Sequence, residues 1–370
     1  MTEILQYRLK IRRLLESYMF YYLGLYLCGL NIFVRYTLGI STAPFSLIAY
    51  GLLGLKIICT DYRFRDVWIG AVFLFAGVMN ARSTGDTTWV INALTIISLK
   101  DVPVEDVLRQ MFWGALLAFA LVAGSSLLGY VDMVMIKDYG RGGVETRYTL
   151  GFGQPNQLHL YVFRLMALGL GAYDQKVKWY HVAVLFVLNL IVFYFTVSRT
   201  GLIMVLGLIL LWTVYHFLHK MVESRPWKIL VFVGAAALIF FQVWAMCYYN
   251  DSAFLQKIDQ LLTARLAIAS QSLDALKSQI SLWGIADTGE YSVDFAMTYM
   301  VIFKGIVITV LYWASVLFCL GRALKENKAY MTIMIILFAV YAICEHSAID
   351  RIGRNICMLY FAWAFFGERG

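Results

Sequence analysis

Residues 179–219 read WYHVAVLFVLNLIVFYFTVSRTGLIMVLGLILLWTVYHFLH. It contains two apolar runs, 179–198 and 201–219, and each is long enough to cross the hydrocarbon core of a bilayer as an α-helix. The runs meet at Ser198-Arg199-Thr200-Gly201 with almost no loop between them. The stretch therefore predicts a helical hairpin that spans a membrane.

The composition of the whole chain extends this prediction to all 370 residues. Hydrophobic residues make up 61% of the chain and charged residues only 15%, and the mean hydropathy is +0.71. Soluble domains are typically about 25% charged and about 45–50% apolar. These values exclude a soluble single-core protein, a secreted disulfide scaffold, a disordered chain and a nucleic-acid-binding domain. The class of protein that the composition does not exclude is one that spans the membrane many times.

Hydropathy predicts an all-α, polytopic helical bundle that forms a single transmembrane domain over residues 1–370. Basic residues followed by an apolar run at the start resemble a signal peptide, but the run is long and lacks a cleavage pattern, which favours a retained first span. The fourth segment is short, so it is either a full span or a re-entrant one. The twelve predicted segments are 18–35, 43–59, 67–81, 88–99, 108–131, 156–173, 179–198, 201–219, 227–248, 295–320, 329–345 and 353–367.

Basic residues in alternate loops predict the orientation of the bundle. The chain has a net charge of +8, and 18 of its 31 basic residues lie in loops that alternate along the chain. Because Lys and Arg are enriched in cytoplasmic loops, both termini are expected in the cytoplasm and the two longest loops, 132–155 and 249–294, outside. The 18 residues are Arg8, Lys10, Arg12, Arg13, Lys56, Arg63, Arg65, Lys100, Arg109, Lys176, Lys178, Lys220, Arg225, Lys228, Arg322, Lys325, Lys328 and Arg369.

The second long loop has the periodicity of an amphipathic helix. Apolar residues recur at spacings of three and four, while Arg265 lies on another face, and Thr263 is a candidate N-cap. We expect this helix to rest on the outer membrane surface or on the bundle. The apolar positions are Leu262, Leu266, Ala269, Leu273 and Leu276.

Orientation does not account for the other 13 basic residues, which fall on the predicted outer side or within spans. A group of outward-facing cations suggests an anionic ligand, and a pyrophosphate at the membrane surface fits best. Contact with lipid headgroups or pairing with nearby acids are the alternatives. These residues are Arg35, Arg82, Lys137, Arg141, Arg147, Arg164, Arg199, Lys257, Arg265, Lys277, Lys304, Arg351 and Arg354.

Arg199 has the most suggestive surroundings of this group. The helix that follows it offers free backbone N–H groups and the positive end of a dipole, Thr200 can cap it, and Ser198 offers a hydroxyl. Together they predict a small anion site at the outer interface. The alternative is an arginine that ends a hairpin and reaches toward water.

Two further polar groups lie at the ends of spans. Asn156 and Arg164 fall on one side of the sixth segment with Gln157, where they can line a cavity, whereas His159 is expected to be a packing residue. Near the C-terminus, Glu345 and its neighbour supply candidate acids and bases. This second group comprises Glu345, His346, Ser347, Asp350, Arg351, Arg354 and Asn355.

The ordered set of motifs resembles the bacterial O-antigen polymerase and ligase superfamily, over roughly residues 140–360. Each motif is weak alone, and their order and spacing carry the resemblance. Where that family often has a histidine before Pro-Asn, this chain has Gln154. The motifs are Arg147-Tyr148-Thr149-Leu150-Gly151, Gln154-Pro155-Asn156, Ser198-Arg199-Thr200-Gly201, Arg265-Leu266, Leu282-Trp283-Gly284, Asp294, Glu345 and Asn355.

The resemblance implies an inverting glycosyltransferase in the bacterial cytoplasmic membrane, with a fold like that of type C glycosyltransferases and with no metal or other cofactor. Its substrates are undecaprenyl-pyrophosphate-linked oligosaccharides at the outer face. A sugar hydroxyl of one lipid-linked repeat unit attacks the anomeric carbon of another lipid-linked chain, and undecaprenyl pyrophosphate leaves. Membrane lipids, a chain-length regulator and a flippase are the implied partners, and nucleic acid is not.

The same resemblance assigns roles to individual residues. Candidates for pyrophosphate binding are Arg147, Arg199, Arg265 and, by its position within a span, Arg164. Candidates for the catalytic base or the acceptor-orienting group are Asp294, Glu345 and His346. The supporting residues are Asn156, His159, Ser198 and Thr200.

Two other functions stay open at this point. The ligases of the superfamily are associated with a histidine in the long external loop, and residues 249–294 contain none, which favours a polymerase. A lipid-linked oligosaccharide flippase is the other alternative, although no internal repeat of the kind common in transporters is evident.

Overall fold

A computed structural model of the chain describes residues 2–26, 30, 33–138, 144–262, 264–291 and 293–367. Most of these residues are helical, and two short strands form a hairpin. The chain divides into two compact units. Unit 1 comprises Met1–Asp61 and Asp101–Leu211, and unit 2 comprises Tyr62–Lys100 and Trp212–Gly370.

The elements follow one another along the chain with short connections. The first are α1 Thr2–Leu25, α2 Ala43–Ile58, α3 Phe64–Thr84, α4 Thr88–Ser98, α5 Val104–Leu127, β1 Val134–Asp138, β2 Val144–Tyr148, α6 Pro155–Tyr173, α7 Trp179–Thr196 and α8 Arg199–Phe217. They are followed by α9 His219–Val222, α10 Arg225–Tyr248, α11 Ala253–Leu261, α12 Arg265–Leu276, α13 Ala296–Tyr299, α14 Ile306–Lys325, α15 Ala329–Tyr341 and α16 Leu359–Phe366.

Within the described residues, six helices are long and apolar enough to cross a membrane: α3, α5, α7, α8, α10 and α14. Further apolar stretches that include α2, α4, α15 and α16 are shorter. At a rise of 1.5 Å per residue, α4 is roughly 16 Å long, about half the thickness of the hydrocarbon core. The chain is thus mostly helical, with six candidate membrane-spanning helices among the described residues. The predicted segments between 43 and 248 each coincide with a helix to within four residues at either end.

Three predicted segments have different boundaries in the structure. The first, 18–35, begins within α1 Thr2–Leu25 and ends in the π-helical turn Phe33–Thr37, and residues 27–29 and 31–32 lie outside the described part of the chain. The segment 295–320 is broken into α13, a π-helical turn at Met300–Lys304 and α14. The last, 353–367, contains only the eight-residue α16 after a 3₁₀ turn.

Unit 1 is built on a close crossing of α1 and α5. A side chain at Gly24 would press against the backbone of Met111, and one at Gly114 would press against the Tyr21 carbonyl. Small residues let two helix backbones approach this closely. The Tyr161 hydroxyl donates to the Ala115 carbonyl at 2.8 Å and ties α6 to the same face of α5.

The loop 132–155 contains the antiparallel hairpin of β1 and β2, which the all-α prediction did not include. Met135 pairs with Arg147 in its register, and the Thr149 amide donates to the Met133 carbonyl at 2.8 Å. The hairpin supplies hydrogen bonds to backbone groups that a coil of this length would leave to water. It also fixes Arg147 near the end of a strand.

Unit 2 has a break in a helix at its centre. Gly305 (φ +86°) ends the π-helical turn, and the first amides of α14 have no partners in their own helix. The Ile306 amide donates to the Ser281 carbonyl at 3.3 Å and the Val307 amide to the Leu282 carbonyl at 3.2 Å. Residues 281–285 therefore provide hydrogen-bond partners for the backbone groups that the break leaves unpaired.

Candidate functional site

Three of the residues named by the resemblance meet in unit 2. Arg265 lies at the first position of α12, and its Nη2 is 3.3 Å from a carboxylate oxygen of Glu345, 80 residues further along the chain. Its Nε is 3.9 Å from a carboxylate oxygen of Asp294. The Arg265 side chain is 12% exposed and that of Glu345 only 9%. The third guanidinium nitrogen, Nη1, is buried and has no hydrogen-bond partner in the described part of the chain.

Asp259 determines where α12 begins and so where Arg265 lies. Its carboxylate accepts from the amides of Leu266 (2.8 Å) and Ala267 (3.0 Å), two of the free N–H groups at the start of this helix. The preceding residue, Ala264, has a positive φ of 64°. Sequence reasoning missed Asp259, because it lies on α11, six residues before the helix that it caps.

The predicted loop helix is confirmed from Arg265 onward. Leu266, Ala269 and Leu276 are buried, and the stripe rests on α10 and α13. Leu262, the first position of the predicted stripe, is instead the C-cap of α11. Thr263, the predicted cap, lies outside the described residues.

Glu345 has the properties of a proton acceptor near neutral pH. Burial raises the pKa of its carboxyl to about 7, although the positive charge of Arg265 acts in the opposite direction. The negative charge of Asp294 adds to the increase. A carboxylate whose pKa lies near the working pH is well suited to general-base catalysis.

His346 lies beside Glu345 but faces a different neighbour. Its ring stacks on Tyr299 with 3.9 Å between the ring centroids, and its Nδ1 is buried without a hydrogen-bond partner among the described atoms. Burial lowers the pKa of the imidazole, so His346 is neutral at pH 7. The structure places it next to the Arg265 cluster without a hydrogen bond to Arg265, Glu345 or Asp294.

Lys304 forms a second ionic group in unit 2. Its ammonium is 2.6 Å from Asp86 and 3.2 Å from Asp350, and it lies 5.3 Å from the Tyr299 ring centroid. Burial would raise the pKa of Asp86, but the charge of Lys304 and hydrogen bonds from Thr88 lower it to about 2. Of the interpretations given for the 13 basic residues, the structure supports pairing with nearby acids for Lys304.

Asn80 and Asn92 tie this second group to the helix break and to the C-terminal loop. The Asn80 amide nitrogen donates to the carbonyls of Trp283 (2.8 Å) and Lys304 (3.1 Å). Asn92 donates to the Asp350 carbonyl and accepts from the Ile352 amide. Sequence reasoning missed both, and also Asp86, although Gly85-Asp86 between two apolar segments is a turn signal that could have identified it.

Unit 1 contains the other predicted residues, beginning with Arg147 on β2. The Arg147 side chain is 5% exposed and its Nε donates to Glu145 at 2.8 Å. The next residue, Tyr148, packs edge-on against Phe195 near the end of α7, with 5.1 Å between ring centroids. The hairpin therefore brings Arg147 to the end of α7 that precedes Arg199.

Arg199 is the first residue of α8 and is exposed, with no carboxylate within 4 Å among the residues that the structure describes. The predicted capping role falls to a different residue, because the Ser198 hydroxyl accepts from the Gly201 amide at 3.4 Å. Thr200 lies inside the helix, so its assignment as the cap is wrong. Val197 (φ +51°) makes the sharp turn between α7 and α8.

His159 is a packing residue, as predicted. It is fully buried, its Nε2 is 2.8 Å from Asn189 and its Nδ1 is 3.2 Å from Thr196. Gly201 lies against its ring so closely that a side chain there would collide with it. This contact joins α6, α7 and α8.

The remaining predicted residues of unit 1 lie on α6. Asn156 and Gln157 are half-buried in its first turn, and Arg164 is buried with its guanidinium 4.6 Å from the Tyr161 ring centroid. Arg141 lies outside the described residues, as do the side chains of Arg35 and Lys137.

Comparison with protein-family models, with curated proteins and with solved structures finds no match to this chain.

Proposed function

We propose that this chain is a polysaccharide polymerase of the bacterial cytoplasmic membrane. The observation that carries the proposal is the meeting of Arg265, Glu345 and Asp294 in unit 2. These residues were selected by motif across a long stretch of sequence, and Arg265 lies within ion-pair distance of both carboxylates. In this proposal the twelve predicted segments form a bundle like that of type C glycosyltransferases, with both termini in the cytoplasm.

The proposed reaction joins two lipid-linked glycans. Glu345 accepts the proton of an acceptor sugar hydroxyl, and the oxygen attacks the anomeric carbon of the donor glycan from the side opposite the pyrophosphate. The bond between that carbon and the pyrophosphate oxygen breaks, and undecaprenyl pyrophosphate leaves with the bonding electrons. The product has inverted configuration at the anomeric carbon.

Arg265 is the group proposed to stabilise the leaving pyrophosphate. Its unpartnered Nη1 can donate to a phosphate oxygen, and a positive charge at a developing anion is a large catalytic contribution. A pyrophosphate bound there competes with Glu345 for the guanidinium. Substrate binding thereby weakens the ion pair and makes Glu345 a stronger base.

Arg147, Arg199 and Arg164 in unit 1 are proposed to bind pyrophosphate as well. The packing of Tyr148 on Phe195 supports a shared location for the first two at one end of α7. The exposed guanidinium of Arg199 at the start of α8 supports anion binding there.

The test is polymer formation by purified protein in proteoliposomes supplied with lipid-linked repeat units. The wild-type protein should produce a ladder of lengths, and Arg265→Ala and Glu345→Gln should reduce its rate by roughly a hundredfold or more. Lys257→Ala, an exposed cation on α11, is the matched control and should keep the wild-type rate. A wild-type protein that makes no ladder, or an Arg265→Ala variant that makes a normal one, would contradict the proposal.

A flippase of lipid-linked oligosaccharide is the second candidate, and the break in the helix at Met300–Gly305 favours it. Discontinuous helices at mid-membrane line the substrate sites of many transporters. The two functions differ in their products, because a flippase exposes intact repeat units on the far side of the vesicle without lengthening them. Transfer onto a non-glycan-lipid acceptor in the same assay would instead indicate a ligase.

A further inference from the structure

Unit 1 contains an apolar groove between α5, α6 and α7. It has a volume of about 730 Å³, within the range of small-molecule sites, and its walls include Phe112, Leu165 and Leu188. Leu188 is 44% exposed and Val184 is 56% exposed, so the groove opens to the surface of α7. Because lipid tails are themselves apolar, an acyl chain is held in such a groove by van der Waals packing against its walls and not by removal from water.

The groove is as long as one leaflet of a bilayer is thick. Its wall on α7 extends from His181 to Val192. At 1.5 Å per residue this is about 16 Å, roughly half of the ~30 Å hydrocarbon core. A site of this length takes one acyl chain from one leaflet.

One end of the groove is cationic. Lys176 lines it there, and no carboxylate is among its lining residues in the described part of the chain. Arg109 also lies beside this end, with its guanidinium 5.9 Å from the ring centroid of the lining residue Tyr173, although Asp106 pairs with it at 3.4 Å. The positive-inside rule places this end, residues 174–178, at the cytoplasmic surface.

We propose that this groove binds one anionic phospholipid of the cytoplasmic leaflet, with an acyl chain along α7 and the phosphate over Lys176. Anionic lipids are attracted to lysines at this depth, which supplies the selectivity for charge. The site differs from the proposed pyrophosphate site in unit 2 in both ligand and leaflet. The proposal of a lipid site depends on the orientation of the bundle and does not depend on glycosyl transfer.

Native mass spectrometry of the purified full-length chain tests the inference. The protein is equilibrated in detergent with equal amounts of phosphatidylglycerol and phosphatidylcholine, and the retained lipids are counted. The wild-type chain should retain one phosphatidylglycerol in preference to phosphatidylcholine. Lys176→Gln should lower that preference about fivefold, as expected for one lysine near a phosphate.

Filling the groove provides a second arm with a matched control. Leu188→Trp places a large ring in the groove and should abolish retention of the lipid. Ile191→Trp makes the same kind of change on α7 at a residue that is 47% exposed and does not line the groove, so it should retain lipid like the wild type.

Three results would overturn the inference. They are equal retention of the two phospholipids by the wild type, equal retention by Leu188→Trp and Ile191→Trp, and displacement of phosphatidylglycerol by an equimolar polyprenyl phosphate. The last result would identify the substrate lipid as the occupant. A chain that polymerises glycans and retains no phosphatidylglycerol contradicts this inference alone and leaves the proposed function standing.

Discussion

At the scale of single residues, the buried pair of Arg265 and Glu345 leaves one guanidinium nitrogen without a hydrogen bond, which a ligand can supply. Each is largely buried, and each neutralises the other across 3.3 Å. A buried arginine with one unpartnered nitrogen is costly unless something else binds it. A phosphate oxygen is suited to that nitrogen, and its arrival would weaken the hold of Arg265 on Glu345. The pair is therefore better suited to a working site than to structural support alone.

The pKa of Glu345 makes stability depend on pH with a definite sign. It is about 7 in the fold, against an ordinary value of 4.5, so the carboxyl is neutral in both folded and unfolded chains at low pH. As pH rises from about 4.5 to 7, the Glu345 carboxyl ionises first in the unfolded chain. The free energy of unfolding therefore falls by about 3 kcal/mol. Glu345→Gln cannot ionise and should not suffer this loss.

Thermal unfolding in detergent between pH 5 and pH 8 measures the difference. The unfolding temperature of the wild type should fall relative to that of Glu345→Gln over this interval. Glu326→Gln, at an exposed residue paired with Arg322, is the control and should follow the wild type. Parallel curves for wild type and Glu345→Gln would show that burial does not perturb this carboxyl.

Lys304 offers a second prediction at this scale. Lys304→Met leaves Asp86 and Asp350 without their shared counter-charge in a site where the lysine is 4% exposed. Removing one member of a buried ionic group costs roughly 3–5 kcal/mol. Lys277→Met breaks a pair that is 72% exposed on the lysine side and should change stability by less than about 1 kcal/mol. Equal unfolding temperatures for the two variants would refute a structural role for Lys304.

At the scale of elements, apolar length predicted α2 to α8 and α10 well, because a bilayer-spanning run has few alternatives to a helix. The break at Met300–Gly305 was not predicted, because the broken run is apolar on both sides of Lys304. What ends the helix there is Gly305 together with the carbonyls of residues 281–282, which come from a distant loop. Such a partner has no local sequence signal.

In the candidate site, too, some features were predictable from local sequence and others depend on residues that are distant in the chain. The motif resemblance selected Arg265, Asp294 and Glu345, and their proximity agrees with that selection. The capping of α12 by Asp259 and the pairing of Lys304 with Asp86 depend on tertiary contacts and could not be predicted from spacing. Ser198 takes the capping role predicted for Thr200, because α8 begins at Arg199, two residues before the predicted start at 201.

Gly284 tests how the break is held together. Its φ is +84°, and a Cβ there would collide with the carbonyl of Phe303. Gly284→Ala should therefore cost the strain of a positive φ, about 1 kcal/mol, and a further 1–3 kcal/mol for the collision. Gly289 also has a positive φ, of 77°, but open space around its Cβ. Gly289→Ala should cost only the strain.

The comparison is made by the unfolding temperatures of the two variants in the same detergent. Gly284→Ala should unfold at a clearly lower temperature than Gly289→Ala, and it should also slow polymer formation if the break supports the site. An equal effect of the two substitutions would mean that residues 281–285 do not hold the break.

At the scale of the whole molecule, the basic residues form two populations with different roles. The 18 that fit the positive-inside rule are expected to set the orientation, whereas those in the candidate sites are held by carboxylates or by aromatic rings, or lie exposed at a helix start. A net charge of +8 is therefore not simply a measure of orientation. Part of it is engaged in internal ion pairs.

Orientation is the property on which both proposals depend, and cysteine labelling tests it. In a variant lacking the six native cysteines, Asp251→Cys at the exposed start of the loop 249–294 should react with a membrane-impermeant maleimide in intact cells. Lys220→Cys, in the exposed turn after α8, should react only after the membrane is permeabilised. The opposite pattern would place Arg265 and Glu345 in the cytoplasm and Lys176 outside. Polymerisation at the outer face and binding of an inner-leaflet lipid would then both be wrong, whatever their local geometry.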